Sequence, residues 1–373
     1  MNNFKIDLKT KLKQSQYNHF GLENYDEYRF GSYKNEKKYF FNRFVYASKL
    51  LIKRIIGHQN KIILEDISWL KEYLNGLERM YEVLSPKGKA LIVELIAYKI
   101  LGYKKVKLTR NNEQYREAVR IGKSLADEND TYDPHFMHFI LQKFNLKPIG
   151  YDIELYFGSL GVTIDYIVEQ YAYKLDNKAI VQVELGDVVI DAGGCWGDTA
   201  LYFAHKTGDS GKVYSFEFIP NNIKLFNHNK YLNPNLENQI KLVTHPISDN
   251  SDDMIYYKDN GPGSKIAMNP FEGQTGSTTT LSIDDFVIRN NITKIDYIKM
   301  DIEGAESAAL RGAINTITKF RPKLAIAIYH SMEDFVSIPA WILDLNLNYE
   351  IFIDHYTIHS EETICFALPR EKK

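Results

Sequence analysis

The chain has 373 residues, two cysteines, 25% charged and 44% apolar residues, and a formal charge of −2. The length suggests two parts rather than one core, and the composition excludes a disordered or fibrous chain. Cys195 and Cys365 are too few and too separated for a disulfide framework or a zinc site. The N-terminus lacks the apolar core of a signal peptide and no stretch reaches the length of a transmembrane helix, so a reducing cytoplasm is the expected location. Charge is unevenly spread: residues 1–150 hold 27 Lys and Arg against 17 Asp and Glu, and the remainder 19 against 31. That asymmetry favours docking of two parts on each other over a basic face turned to an anionic partner, and no nucleic-acid partner is expected.

Residues 1–37 are polar with little periodicity and read as an extended or partly ordered arm. Residues 38–56 read as a basic amphipathic helix, for which packing into a helical domain is favoured over a peripheral membrane contact. Leu64, Ile67, Leu70, Leu74, Leu77 and Leu84 form the stripe of a second helix, ended by Ser85-Pro86. A more apolar helix follows over 89–101 and a surface helix over 113–127. Residues 38–147 are thus predicted to be a helical domain with no convergent acid, base or nucleophile, suited to homo-oligomer contacts or acceptor binding. Residues 148–185 read as a connecting hairpin and short helix around Gly158 and Gly161, with Tyr156, Tyr166, Tyr171 and Tyr173 as core residues or cofactor neighbours.

From 186 to 373 strands alternate with helices, the pattern of a mostly parallel, doubly wound α/β sheet. Val188, Val189 and Ile190 form an apolar run that stops at Asp191, and Gly193, Gly194 and Gly197 then form a turn before a predicted helix over 199–205. A glycine turn between strand and helix puts bare backbone and helix N–H groups at the carboxyl edge of a sheet, where nucleotide-like ligands bind. A dinucleotide fingerprint fits poorly, because Cys195 stands where its second glycine is required. The next strand, 212–217, ends in Glu217, about twenty residues on, the spacing of a ribose-binding acid. A strand over 240–243 leads to Ser248 and Asp249, placed to meet an adenine edge. A long insertion over 250–280 has hairpin character, a strand over 295–300 stops at Asp301 and Glu303, and another over 323–329 stops at His330. His330 is the first candidate for a general base and His355 the second; Asp301, Glu303 and His330 are alternatively the ligands of a divalent ion.

The segments at 189–197, Phe216-Glu217, Ser248-Asp249, 280–286 and above all IKMDIEGAE at 298–306 resemble the FkbM family of S-adenosylmethionine (SAM)-dependent methyltransferases over roughly residues 150–368. The resemblance implies a class I methyltransferase fold, a seven-stranded sheet with one antiparallel strand. It also implies SAM as cofactor and methyl transfer to a hydroxyl of a sugar or glycan, such as a surface polysaccharide or its precursor. Two departures stand out: Phe218-Ile219-Pro220 follows the ribose acid in place of a shorter turn, and Cys195-Trp196 fills a turn more often made of small or polar residues. The competing readings are an NAD-type oxidoreductase and an inactive binding module on the same fold.

Overall fold

The computed structural model describes residues 3–31, 67–136 and 139–371. The expected basic helix at 38–56 and the start of the helix expected from Leu64 lie outside them. Seven strands form the central sheet, in spatial order β14-β15-β13-β12-β6-β7-β8. These are β6 (Val188–Ala192), β7 (Lys212–Phe216), β8 (Ile240–Val243), β12 (Tyr297–Met300), β13 (Lys323–Ala327), β14 (Tyr349–His355) and β15 (Thr363–Pro369). β15 alone runs antiparallel, to β13 and β14. This is the mostly parallel sheet that the strand alternation predicts and the class I methyltransferase architecture that the family resemblance implies. β6 pairs in parallel with β7 on one side and β12 on the other. The chain therefore reverses its direction of travel across the sheet beside β6, and that switch point opens a crevice at the carboxyl edge.

The N-terminal part departs from expectation. Residues 3–15 form a helix, Asn3–Ser15, with Phe4, Leu8 and Leu12 buried. The polar composition conceals three apolar residues spaced four apart, enough for one buried stripe. Helices Ser68–Val83 and Pro86–Leu101 follow the predicted apolar stripes. All three pack into one continuous core with Ile190, Ile298, Ile326 and Ile353, from the face of the sheet they cover. They are a helical layer of the same globule rather than a separate domain. The stretch expected to be wholly helical also contains strands β1 (Ala126–Tyr132) and β2 (Leu141–Asn145), which with β3 (Glu154–Phe157) make a small antiparallel sheet.

The charge asymmetry has a structural counterpart in ion pairs between the two halves: Lys87 and Arg110 reach Asp354 at 3.2 and 3.4 Å, Arg29 reaches Glu361 at 2.8 Å, and Arg79 pairs with Asp344. The expected hairpin before the 159–168 helical turns is instead β3 joined to β2, and the local hairpin follows them as β4 (Tyr173–Leu175) and β5 (Lys178–Val181). The insertion is a three-stranded sheet of β9 (Met254–Lys258), β10 (Lys265–Ala267) and β11 (Gly276–Thr279). Among the described residues no helix is long and apolar enough to cross a membrane.

Candidate functional site

A cavity of about 310 Å³ opens where β6, β7 and β12 end. Its floor is the glycine turn. Gly193 has φ +88°, and a Cβ there would lie 2.0 Å from the carbonyl oxygen of Asp301, so only glycine lets the ends of β6 and β12 approach this closely. Gly194 N–H donates to the Phe216 carbonyl at 2.8 Å, which pins the turn to β7. Gly197, at φ +87°, precedes the helix Asp198–Thr207, whose N-terminus faces the cavity.

Asp191 is fully buried below this turn. Its carboxylate accepts from Thr199 Oγ1 at 3.0 Å and Ser215 Oγ at 2.6 Å and pairs with Lys299 Nζ at 3.2 Å. Lys299 also donates to the carbonyl of Gly193 at 2.7 Å and lies over the Tyr171 ring, 5.2 Å from its centroid. Burial alone would lower its pKa; the charges of Asp191, Asp301 and Asp198 outweigh that and raise it. Asp191 and Lys299 thus order the turn from beneath. A lysine inside the apolar run Tyr297–Met300 is the sequence signal for this pair.

Glu217 ends β7 and lines the cavity. Its Oε1 accepts from the backbone N–H of Phe218 and Ile219 at 2.6 and 2.7 Å, and its Oε2 from Asn222 Nδ2 at 3.0 Å. The Phe218-Ile219-Pro220 departure thus supplies two donors to the acid. Burial nevertheless pushes Glu217 up to about 7, against the lowering effect of these bonds. A carboxylate offers about four acceptor sites, so the three bonds leave one, on Oε2, for a ligand hydroxyl; acceptance from both ribose hydroxyls does not fit this geometry.

Asp165 and Asp198 face each other in the same wall, both with raised pKa values: Asp165 through burial and then the charge of Asp198, and Asp198 through burial, to about 6. Asp198 Oδ1 is buried and without a hydrogen-bond partner. Sequence spacing does not single out either residue, because Asp198 only closes the glycine turn and Asp165 falls in the connecting segment, and the fold alone brings them together. Ser248 and Asp249 are not brought to the cavity: Asp249 pairs with Arg311 at 3.1 Å, and His245, Pro246 and Ile247 line the wall in their place.

Asp301 accepts from the hydroxyls of Tyr171 at 3.0 Å and Tyr329 at 3.0 Å. His330 lies behind it, with Nε2 3.4 Å from Asp301 and Nδ1 3.1 Å from the buried Glu306. Burial lowers the affinity of the imidazole for a proton, but the Glu306 contact and the charges of Asp301, Glu306 and Glu303 outweigh it and raise the pKa to about 9. His330 is therefore an imidazolium at neutral pH, with no lone pair to act as a base, and it does not line the cavity. Glu303 is exposed and 3.7 Å away; the compact set is Asp301, Glu306 and His330, whose ligand atoms lie within 4.8 Å of one another. His355 is buried elsewhere, 2.9 Å from Thr363 Oγ1, with its pKa lowered by burial to about 3.

The model of the methyltransferase FkbM domain matches residues 182–351. Those residues are an FkbM methyltransferase domain. Among solved structures, methyltransferase FkbM from Methylobacillus flagellatus superimposes with a TM-score of 0.53 at 16% identity, covering 90% of this chain and 72% of that one. Fibrillarin from Aeropyrum pernix, in complex with SAM, gives 0.37 at 15% identity, covering 61% and 88%. At such identities the likeness is one of fold. No curated protein matches the sequence. The FkbM domain begins just before β6 and ends within β14, so it contains the glycine turn, Glu217 and Asp301, whereas Asp165, Tyr171 and Glu362 reach the cavity from outside it.

Proposed function

We propose that this protein uses SAM to methylate a hydroxyl of a sugar or glycan. The observation that carries the reading is the charge of the cavity: Asp165, Asp198, Glu217, Asp301, Glu303 and Glu362 line it, and Lys299 is the one lysine or arginine among the lining residues. SAM brings a sulfonium and an ammonium to such a wall. An NAD pyrophosphate would bring two negative charges instead, and each like-charge contact near 4 Å costs about 4 kcal/mol at an effective dielectric constant of 20. The acidic lining therefore favours a cationic donor such as SAM over a dinucleotide.

The residues present fit that cofactor. The unpartnered Asp198 Oδ1 offers an acceptor to an ammonium group, the Gly193 backbone allows close approach, and the remaining Oε2 site of Glu217 suits a ribose hydroxyl. Bound SAM supplies an activated methyl group and its own leaving group. What remains for the chain is to hold the acceptor oxygen in line with that methyl, to keep water out and to accept one proton. Phe157 and Trp196, 6.2 Å apart edge to face, give the cavity an apolar wall on which the C–H face of a sugar can rest while its hydroxyls meet the carboxylates. Mass spectrometry of glycans from cells with and without the gene tests the reading: a loss of one methyl group in the deleted strain supports it, and unchanged glycans count against it.

A further inference from the structure

The cofactor cavity adjoins a second cavity of about 190 Å³. The two share Phe157, Gly161, Ile164, Trp196 and Glu362, so Glu362 is the one ionisable side chain that faces both. The second cavity adds Tyr28, Phe136 and Phe139, with the rings of Tyr28 and Phe139 5.8 Å apart and those of Phe136 and Phe139 stacked at 5.9 Å. It is an aromatic compartment whose inner end is a carboxylate.

Glu362 stands in the turn between β14 and β15 with φ +68°, a left-handed conformation that a glutamate seldom adopts. Cys195 at φ +42° and Glu303 at φ +56° line the cofactor cavity with it, and backbone strain of this kind collects at functional sites. Glu362 Oε2 accepts from Gln170 Nε2 at 2.8 Å, and Gln170 Nε2 also reaches the hydroxyl of Tyr171, which donates to Asp301. Among the described residues no donor is recorded on Oε1. The other acids of the cavity are engaged otherwise: Asp301 accepts from two tyrosines, Glu217 from three donors with one site left for ribose, and Asp165 and Asp198 pair with each other, leaving Asp198 Oδ1 for the ammonium group.

Resting on the proposed function, we propose that the second cavity receives the acceptor and that Glu362 is the general base for its reacting hydroxyl. The O–H proton passes to Oε1 while the oxygen forms its bond to the methyl carbon. The methyl–sulfur bond breaks and its electron pair stays on sulfur, which turns from sulfonium to thioether; the new carboxylic acid then gives its proton to water. The ionised form of Glu362 is the base, so the transfer rate should rise with pH as the group loses its proton. Burial raises its pKa, the charges of Asp301 and Glu361 add to the rise, and the Gln170 bond and the charge of His330 oppose it, leaving it at about 8. Asp165, Arg29, Tyr115, Tyr171 and Tyr329 are the other titratable groups that feel its charge.

The test uses the full chain, tritium-methyl SAM, and a glycan extract of the producing cells from which the gene has been deleted. Wild-type protein should transfer label, and Glu362→Gln at saturating SAM should do so about a hundredfold more slowly. Glu362→Asp, which keeps the carboxylate, should recover at least about tenfold over the glutamine variant. Infrared difference spectra of the SAM-free protein should show a protonated-carboxyl band near neutral pH that Glu362→Gln removes. A glutamine variant with more than about a tenth of the wild-type rate would overturn the base while leaving the proposed function standing. One that cannot be saturated with SAM would place Glu362 in the cofactor site and overturn the assignment. No transfer by the wild-type protein would remove the proposed function and the base together.

Discussion

Removing the Glu217 carboxylate perturbs two things at once, and the structure allows them to be separated. In the free protein its Oε1 holds the first two N–H groups before the helix Pro220–Tyr231, at 2.6 and 2.7 Å. Loss of these two charge-assisted bonds costs about 1–3 kcal/mol of stability. In the complex, its one remaining acceptor site takes a ribose hydroxyl, a charge-assisted bond worth about 1.5–3 kcal/mol, or about tenfold to a hundredfold in affinity. Glu217→Ala should therefore lower both the unfolding midpoint and SAM affinity. Glu217→Gln keeps the shape and one acceptor oxygen, which the two N–H groups will claim, so its stability loss should be small and its affinity loss about tenfold. Calorimetric titration with SAM and urea unfolding of both variants give the two readings. Unchanged SAM affinity in both variants would refute the ribose role, whatever happens to stability.

Lys299→Met should cost about 3 kcal/mol in denaturant unfolding, because it strips a buried carboxylate of its cation; the value sits low in the range because Thr199 and Ser215 still donate to Asp191. A loss below about 1 kcal/mol would show that the pair is not what holds the turn. Gly193→Ala should destabilise by more than the roughly 1–2 kcal/mol of a left-handed alanine, since its Cβ would meet the Asp301 carbonyl at 2.0 Å, and a neutral result in thermal unfolding would contradict that contact. SAM affinity should rise with pH. Glu217 at about 7 and Asp198 at about 6 are held partly protonated by burial, while a hydroxyl donor or a cation binds only the ionised form. For the group at about 7 this amounts to about tenfold tighter binding at pH 8 than at pH 6, and a flat or falling profile by calorimetry would be inconsistent with these roles.

What the sequence made legible was the part in which local pattern and spacing carry the information. The run from Val188 to Gly197 shows strand, turn and helix start directly, and Glu217 and Asp301 follow at the ends of strands whose apolar character is plain. The helix at Asn3–Ser15 stayed hidden because only three buried residues distinguish it from a polar arm. The misplaced boundary between two domains has a related cause: amphipathic stripes show that helices bury one face but not against what, and here they cover the sheet itself. His330 drew attention by its position after β13, yet its role depends on three carboxylates, one of which, Glu306, points inward from the next helix. No spacing rule reveals a proton affinity set by such convergence. Glu362 and Asp165 reach the cavity from segments far in sequence from the glycine turn, and Asp198, directly after Gly197, gains its partner only through the fold.

The measurement that bears most directly on the central claim is calorimetric titration of the intact protein with SAM and, separately, with NAD, each at pH 6 and pH 8. The acidic cavity predicts saturable binding of SAM that tightens at pH 8, and no binding of NAD at either pH. Binding of NAD but not SAM, or of neither, would contradict the assignment of this cavity to a methyl donor.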